Sequence, residues 1–156
     1  MAKKKVVVAS GVFDILHPGH IRYLEEAKKL GDELVVIVAT DKTAEKFKHR
    51  PIMNQEIRRK MVEALKPVDR AVIGHEDDMF KTIEEIKPDI IALGYDQKFD
   101  ENRIKEECRK RGLEVEVVRL PKFNGDLNGT RKIIFEIVDR YDELYRGDRD
   151  KEGGSS

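Results

Sequence analysis

Five short runs of β-branched and aliphatic residues, separated by longer amphipathic stretches, constrain this chain more than anything else in it. Lys5–Ser10, Leu34–Thr40, Ala71–Gly74, Asp89–Gly94 and Val115–Leu120 read as strands. Four of the runs are almost continuously apolar, the pattern of strands covered on both faces. Between them, apolar residues at helical spacing predict helices over Ile21–Leu30, Gln55–Leu65, Met79–Ile86 and Asn102–Arg111, the last closed by Gly112. A final helix is expected from about Thr130 to Tyr145, with Ile133, Ile134, Ile137, Val138, Tyr141 and Leu144 as its buried stripe. Strands alternating with helices imply right-handed crossovers. The expected fold is therefore a single α/β domain, doubly wound and Rossmann-like, with a five-stranded, mostly parallel sheet. Ligands of such sheets sit beyond the carboxyl ends of the strands, where the winding reverses. Chemistry is to be sought just after Ser10, Thr40, Gly74, Leu93 and Leu120.

Composition removes several classes of function. The 156 residues carry 31 Lys+Arg and 31 Asp+Glu, so no net field draws the chain to nucleic acid or to an anionic membrane. No apolar run approaches the length of a spanning helix, and the basic start MAKKK precedes too short an apolar run for a signal peptide. The chain reads as a soluble cytoplasmic protein. Its one cysteine, Cys108, excludes an internal disulfide and a CxxC site, and its place on an apolar helix face predicts a buried, inert thiol. A charged content of 40%, no Trp and only six Asn or Gln lean towards a heat-adapted surface of Lys/Glu networks. Residues 1–146 are expected to form the domain, and 147–156 a flexible polar tail whose final GGSS resembles a linker or an engineered addition.

The segment after the first strand carries the chemistry. In Gly11-Val12-Phe13-Asp14-Ile15-Leu16-His17-Pro18-Gly19-His20 there is neither a GxxxxGK[ST] phosphate loop nor a GxGxxG dinucleotide fingerprint. Two histidines instead bracket Pro-Gly where a helix begins. Pro18 pre-sets the turn, and Gly19 lets an incoming group approach the backbone. The first helical turn and its dipole offer an anion site, to which both imidazoles add donors. Pro-Gly is also ordinary turn punctuation; the position at a switch edge is what favours the functional reading. Zinc would require two further ligands that the neighbouring sequence lacks. His75, Asp77 and Asp78 read as a solvated loop at a strand end.

GVFDILHPGH resembles the HxGH signature of the nucleotidyltransferase superfamily that includes glycerol-3-phosphate cytidylyltransferase. The resemblance runs from about Val6 to Val138, through AKKLGDELVVIVATD and KHRPIMNQEIRRKMVEALKPVD. LGYDQKFD is most similar to the archaeal FAD synthases of that superfamily. By this resemblance Val12 (through its backbone), Phe13, Asp14, His17, Pro18, Gly19 and His20 contact nucleotide. Lys46 and Lys48, in a basic loop that also holds His49 and Arg50, match the cations that hold the outer phosphates. Arg58 fits the arginine of the family's E..R element and Asp96 the family's nucleotide-contacting aspartate, so both are expected among the nucleotide contacts. Gly129, Thr130 and Arg131 fall on a motif often written ISSTRI, but Asn128 and Gly129 stand where serines are usual, and Val12 replaces a common Thr.

A site rich in amide, imidazole and cationic donors, without a nucleophile beside a base, suits nucleotidyl transfer to an acceptor that is itself nucleophilic. The expected reaction is attack of the FMN phosphate on the α-phosphorus of ATP, giving FAD and pyrophosphate. His17, His20 and Lys46 act on the reacting phosphates, and a divalent ion of the Mg²⁺ type accompanies the triphosphate. Two alternatives stay open: the same chemistry on another phosphate monoester, such as glycerol 3-phosphate with CTP or a sugar phosphate with ATP, and a nucleotide- or flavin-binding module without turnover. Nucleic acid and membrane are not expected partners. A homodimer is implied by the resemblance alone.

Overall fold

The structure, a computed structural model, describes residues 3–123 and 129–146. Five strands, β1 (Val6–Gly11), β2 (Glu33–Val38), β3 (Arg70–Ile73), β4 (Ile90–Leu93) and β5 (Glu116–Arg119), form one sheet in the order β3-β2-β1-β4-β5. Every pairing is parallel. The sheet is thus wholly parallel, and β1 and β4 are neighbours, as a doubly wound order requires. The winding reverses between them, and the crevice at their carboxyl ends is the natural ligand position.

The helices are α1 (Pro18–Lys28), α2 (Asp41–Phe47), α3 (Gln55–Glu63), α4 (Met79–Ile86), α5 (Glu101–Lys110) and α6 (Thr130–Asp139), followed by a π-helical turn, Asp142–Arg146. Strand alternation sorts the core into two layers. Val7, Ala9, Leu34, Val36, Val38 and Ala92 meet Leu24 and Ala27 of α1 and Val62 of α3. Val8, Val35, Ile37, Ile91 and Leu93 meet Ile83 of α4 and Ile104 and Cys108 of α5. Near-continuous apolar strands follow directly, because each face of the sheet has its own helical cover. Cys108 is buried, and burial pushes its thiol pKa up, which keeps it protonated and unreactive. Gly112, at φ +80°, ends α5, and Leu113 N–H donates to Cys108 O at 2.9 Å, a six-residue closure that favours glycine at that point.

Two expectations need correction. The segment after β2 is not loop throughout: Thr40 caps a short helix that takes in Lys46, by accepting from Thr43 N–H, Ala44 anchors that helix in the core, and only Lys48, His49 and Arg50 remain in the loop beyond it. Its small apolar content left no amphipathic stripe to read. The second concerns α6. None of its residues is buried, and Ile137, Val138, Tyr141 and Leu144, expected on a buried stripe, are all largely exposed. The regular helix stops at Asp139 rather than running on to Tyr145. The apolar spacing was real, but no sheet face remained for it, since α1, α3, α4 and α5 already cover both. The tail 147–156 lies outside the described residues.

These assignments separate two substitutions. Leu24→Ala, at a fully buried site, should cost about 2–5 kcal/mol by chemical denaturation. Val138→Ala, 68% exposed, should change stability by no more than about 0.5 kcal/mol. A cost at Val138 comparable to that at Leu24 would restore the buried stripe.

Candidate active site

The loop from β1 to α1 owes its shape to contacts with distant segments. Gly11 approaches the Phe13 ring so closely that an ideal Cβ would lie 2.9 Å from it. Phe13 itself turns the chain through φ +53°, the left-handed region that costs a non-glycine residue energy. Burial of its ring offsets that cost. The Asp14 carboxylate, also buried, accepts from Ile52 N–H at 2.8 Å and Met53 N–H at 2.9 Å. Asp14 therefore ties this loop to the approach of α3.

Arg58 was expected among the nucleotide contacts, and the structure places it elsewhere. Its side chain is wholly buried. It donates to Met53 O (2.9 Å), to Val12 O and Ala39 O (2.8 Å each) and to the Asp41 carboxylate (2.7 Å). Four hydrogen bonds inside the protein make it a clamp beneath the site. Arg58→Met would leave these carbonyls without a donor, at about 1–3 kcal/mol for each buried group. A lowered denaturation midpoint together with reduced nucleotide affinity is the expected result. A midpoint equal to wild type would remove the clamp.

The histidines stand at the top of this loop. His17 is the N-cap residue of α1 in extended conformation, its ring not used for capping, and Pro18 opens the helix. One turn into the helix, the His20 ring stacks on His17 with centroids 3.7 Å apart. Phe13 also packs against His20, its ring tilted by 59° with centroids 5.2 Å apart, and Tyr23 stacks on Phe13 at 6.5 Å. The Tyr23 hydroxyl accepts from Ser10 N–H and donates to Ala92 O, so the aromatic column rests on β1 and β4 at once. Burial pushes the Tyr23 pKa up and keeps it a hydroxyl.

The two imidazoles are held neutral. Burial, then the neighbouring His17, then Lys48 lower the His20 pKa to about 3. Burial also lowers that of His17, against the opposing pull of Asp96. The Nδ1 atom of each ring is buried and has no hydrogen-bond partner among the described residues. Unpartnered polar atoms are rare in folded interiors and mark positions where function overrides satisfaction.

A cleft of about 920 Å³ opens over this column. Its walls include Val12, Phe13, Asp14, His17, Gly19 and His20 from the first loop, and Lys48 and His49 from the segment after α2. Asp96 stands on the loop after β4, while Gly129, Thr130 and Arg131 stand at the start of α6. The Thr130 hydroxyl donates to Ile15 O at 3.3 Å and fastens that helix to the histidine loop. The fold thus gathers most of the residues singled out from sequence. Lys46 does not line the cleft: it is exposed in the last turn of α2, and Lys48 takes the inward position. Pro18 is exposed beside it, shaping the turn. Asn128 lies outside the described residues.

Two supporting residues carried no signal in the sequence. Gln97 accepts from Gly94 N–H and donates to Ser10 O, both at 2.9 Å, joining the β4 loop to β1. Arg119 donates to the carbonyls of Gly94, Gln97 and Phe99 and pairs with Glu101, thereby enclosing the loop that presents Asp96. A lone arginine at the end of a strand could not announce three carbonyl partners from another loop. Among the described residues no group of three or more His, Cys, Asp or Glu could hold a metal ion. His75 pairs with Glu85, while Asp78 caps α4 and pairs with Arg111. Among the described residues, no helix is long and apolar enough to cross a membrane.

Neutral imidazoles, a lysine, an arginine and two helix starts line one crevice at the switch point of an α/β sheet, an arrangement complementary in charge to a polyanion. The chain belongs to the cytidylyltransferase-like family, whose model matches residues 8–146. It is 71% identical over 144 residues to the FAD synthase of Aciduliprofundum boonei, covering 92% of this chain and 97% of that protein. It is 62% identical over 135 residues to the FAD synthase of Ferroglobus placidus, covering 86% and 88%. Among solved structures, a protein from Thermoplasma volcanium GSS1, described as a lipopolysaccharide core biosynthesis protein, superposes with a TM-score of 0.77 at 54% identity, covering 78% of this chain and all of that one.

The lowered His20 pKa has a measurable consequence. Between its ordinary value of 6.5 and about 3, the unfolded chain binds a proton that the folded protein refuses. Stability therefore falls as pH drops through this window, and the fall should be shallower in His20→Gln. In NMR titrations the His20 ring should stay neutral down to about pH 4. A midpoint near 6.5 would break the stacked, neutral pair.

Proposed function

We propose that this chain is an FAD synthase: it transfers the AMP moiety of ATP to FMN and releases pyrophosphate. The observation that carries this reading is the 71% identity with an archaeal FAD synthase over almost the whole of both chains. The donor set around the cleft supports it. An oxygen of the FMN phosphate attacks the α-phosphorus of ATP in line, a new P–O bond forms, and the bond from the α-phosphorus to the bridging oxygen breaks. The electron pair leaves with pyrophosphate. No covalent enzyme intermediate is required, so the protein's work is positioning and neutralising charge.

With its pKa near 3, His20 is a neutral hydrogen-bond donor at physiological pH rather than an acid. His17, stacked on it, acts in the same way. Together they stabilise the crowded phosphorus, where charge moves onto the non-bridging oxygens. Lys48, Arg131 and the amides at the start of α6 receive the departing phosphates, and exposed Lys46 adds to the field at the rim. Asp96 accepts from a ribose hydroxyl. A divalent ion of the Mg²⁺ type arrives on the phosphates of ATP as part of the substrate. The described residues build no ligand cluster of their own for it, and no step above depends on one.

Incubated with ATP and FMN, the protein should produce FAD and pyrophosphate in equal amounts. CTP with glycerol 3-phosphate, or ATP with a sugar phosphate, should yield little. His17→Ala and His20→Ala should each lower kcat by about 10²–10³. Pyrophosphate release with every acceptor except FMN would overturn the substrate assignment. Tight nucleotide binding with no release would make the chain a binding module.

A further inference from the structure

We propose that the exposed apolar ridge of α6 seats the isoalloxazine ring of FMN, so that Ile134, Phe135 and Val138 determine acceptor specificity. The inference rests on the reading of the chain as an FAD synthase. Five of the ten residues of α6 are Ile, Phe or Val, yet none is buried, and Phe135 is 65% exposed. A contiguous exposed apolar face of this kind marks a surface that meets something. Here the direction it faces identifies what. Ile134, Phe135 and Val138 line the same cleft as the stacked histidines, so the body that covers them is one that enters the cleft. Ile134 and Val138 are one turn apart with Phe135 beside them, and they form a single ridge.

Position and chemistry then choose between the two rings that the reaction brings in. The start of α6 is fastened to the histidine loop through Thr130 and Ile15. At 1.5 Å per residue the ridge extends from about 6 to about 12 Å beyond that phosphate-facing end. The incoming FMN phosphate enters across the α-phosphorus from the pyrophosphate received at that end, and the ribityl chain behind it is long enough for its flat ring to reach this span. Adenine carries donors and acceptors around its edge that would stay unpaired against hydrocarbon. Polar partners for adenosine stand instead on the β4 loop, where the Asp96 carboxylate lines the cleft. The dimethylbenzenoid end of isoalloxazine has no hydrogen-bonding atom, and the ridge offers it only aliphatic and aromatic carbon.

The test titrates FMN into the full-length protein, reads binding from quenching of flavin fluorescence, and measures KM for FMN and for ATP separately. Phe135→Ser and Val138→Ser should each raise the Kd and KM for FMN about tenfold, the loss of one good apolar contact, and move the ATP KM by less than about twofold. Phe135→Leu, which keeps the hydrocarbon, should remain close to wild type. Both side chains are exposed, so the variants fold. A raised ATP KM with FMN binding unchanged would assign the ridge to adenine and overturn the proposal, as would variants indistinguishable from an active wild type. Wild-type protein that neither binds FMN nor releases pyrophosphate from ATP with FMN would instead sink the reading of function on which this rests.

Discussion

Arg58 lies inside the protein with its charge removed from water, and four hydrogen bonds hold it there. Burying a guanidinium is costly unless its donors find partners of good geometry. Its partners come from the loop after β1, the stretch from the end of β2 into the first residue of α2, and the approach to α3. Those segments converge on one point, and the loop bearing both histidines is built on that point. Asp14 repeats the logic from the other direction, its carboxylate capturing two amides of the α3 approach. Left-handed Phe13 is tolerable because these contacts over-determine the loop around it.

Above this base, a column of rings carries the electrostatics. Tyr23 is tied to β1 and β4, Phe13 lies on it, and His20 and His17 complete the stack. Close stacking and burial both disfavour a second positive charge, which keeps the imidazoles neutral while Lys48 and Arg131 supply the cations nearby. Neutral donors beside fixed cations suit the proposed reaction, in which a triphosphate is held and pyrophosphate leaves. Gln97 and Arg119 do for the Asp96 loop what Arg58 does for the histidine loop. Each rim of the cleft is thus held by buried or half-buried side chains that satisfy main-chain groups from another element.

The fold was largely legible in the chain because a parallel sheet covered on both faces leaves a plain record. Its strands are short apolar runs, and its helices show one apolar stripe. The adjacency of β1 and β4 followed from the doubly wound order. Legibility failed where an element was short or lacked a partner. α2 is held by a cap and one alanine, too little to register as a pattern. α6 registered clearly but was assigned to the core, because spacing shows that a face is apolar and not what meets it. Within the site, the Pro-Gly turn between two histidines was visible as a local motif. That Lys48 lines the cleft and Lys46 does not depends on the last turn of α2, and the burial of Arg58 depends on partners as far off in the chain as Val12.

Composition and periodicity alone determined an α/β sheet with an anion-binding turn after its first strand, because strand and helix periods and the residues of a tight turn are local properties. The tertiary structure decided which cations face inward, which arginines hold loops and which histidine is held far below its usual pKa. Those outcomes depend on burial and on carbonyls supplied by remote segments, and no window of sequence contains both partners of such a contact.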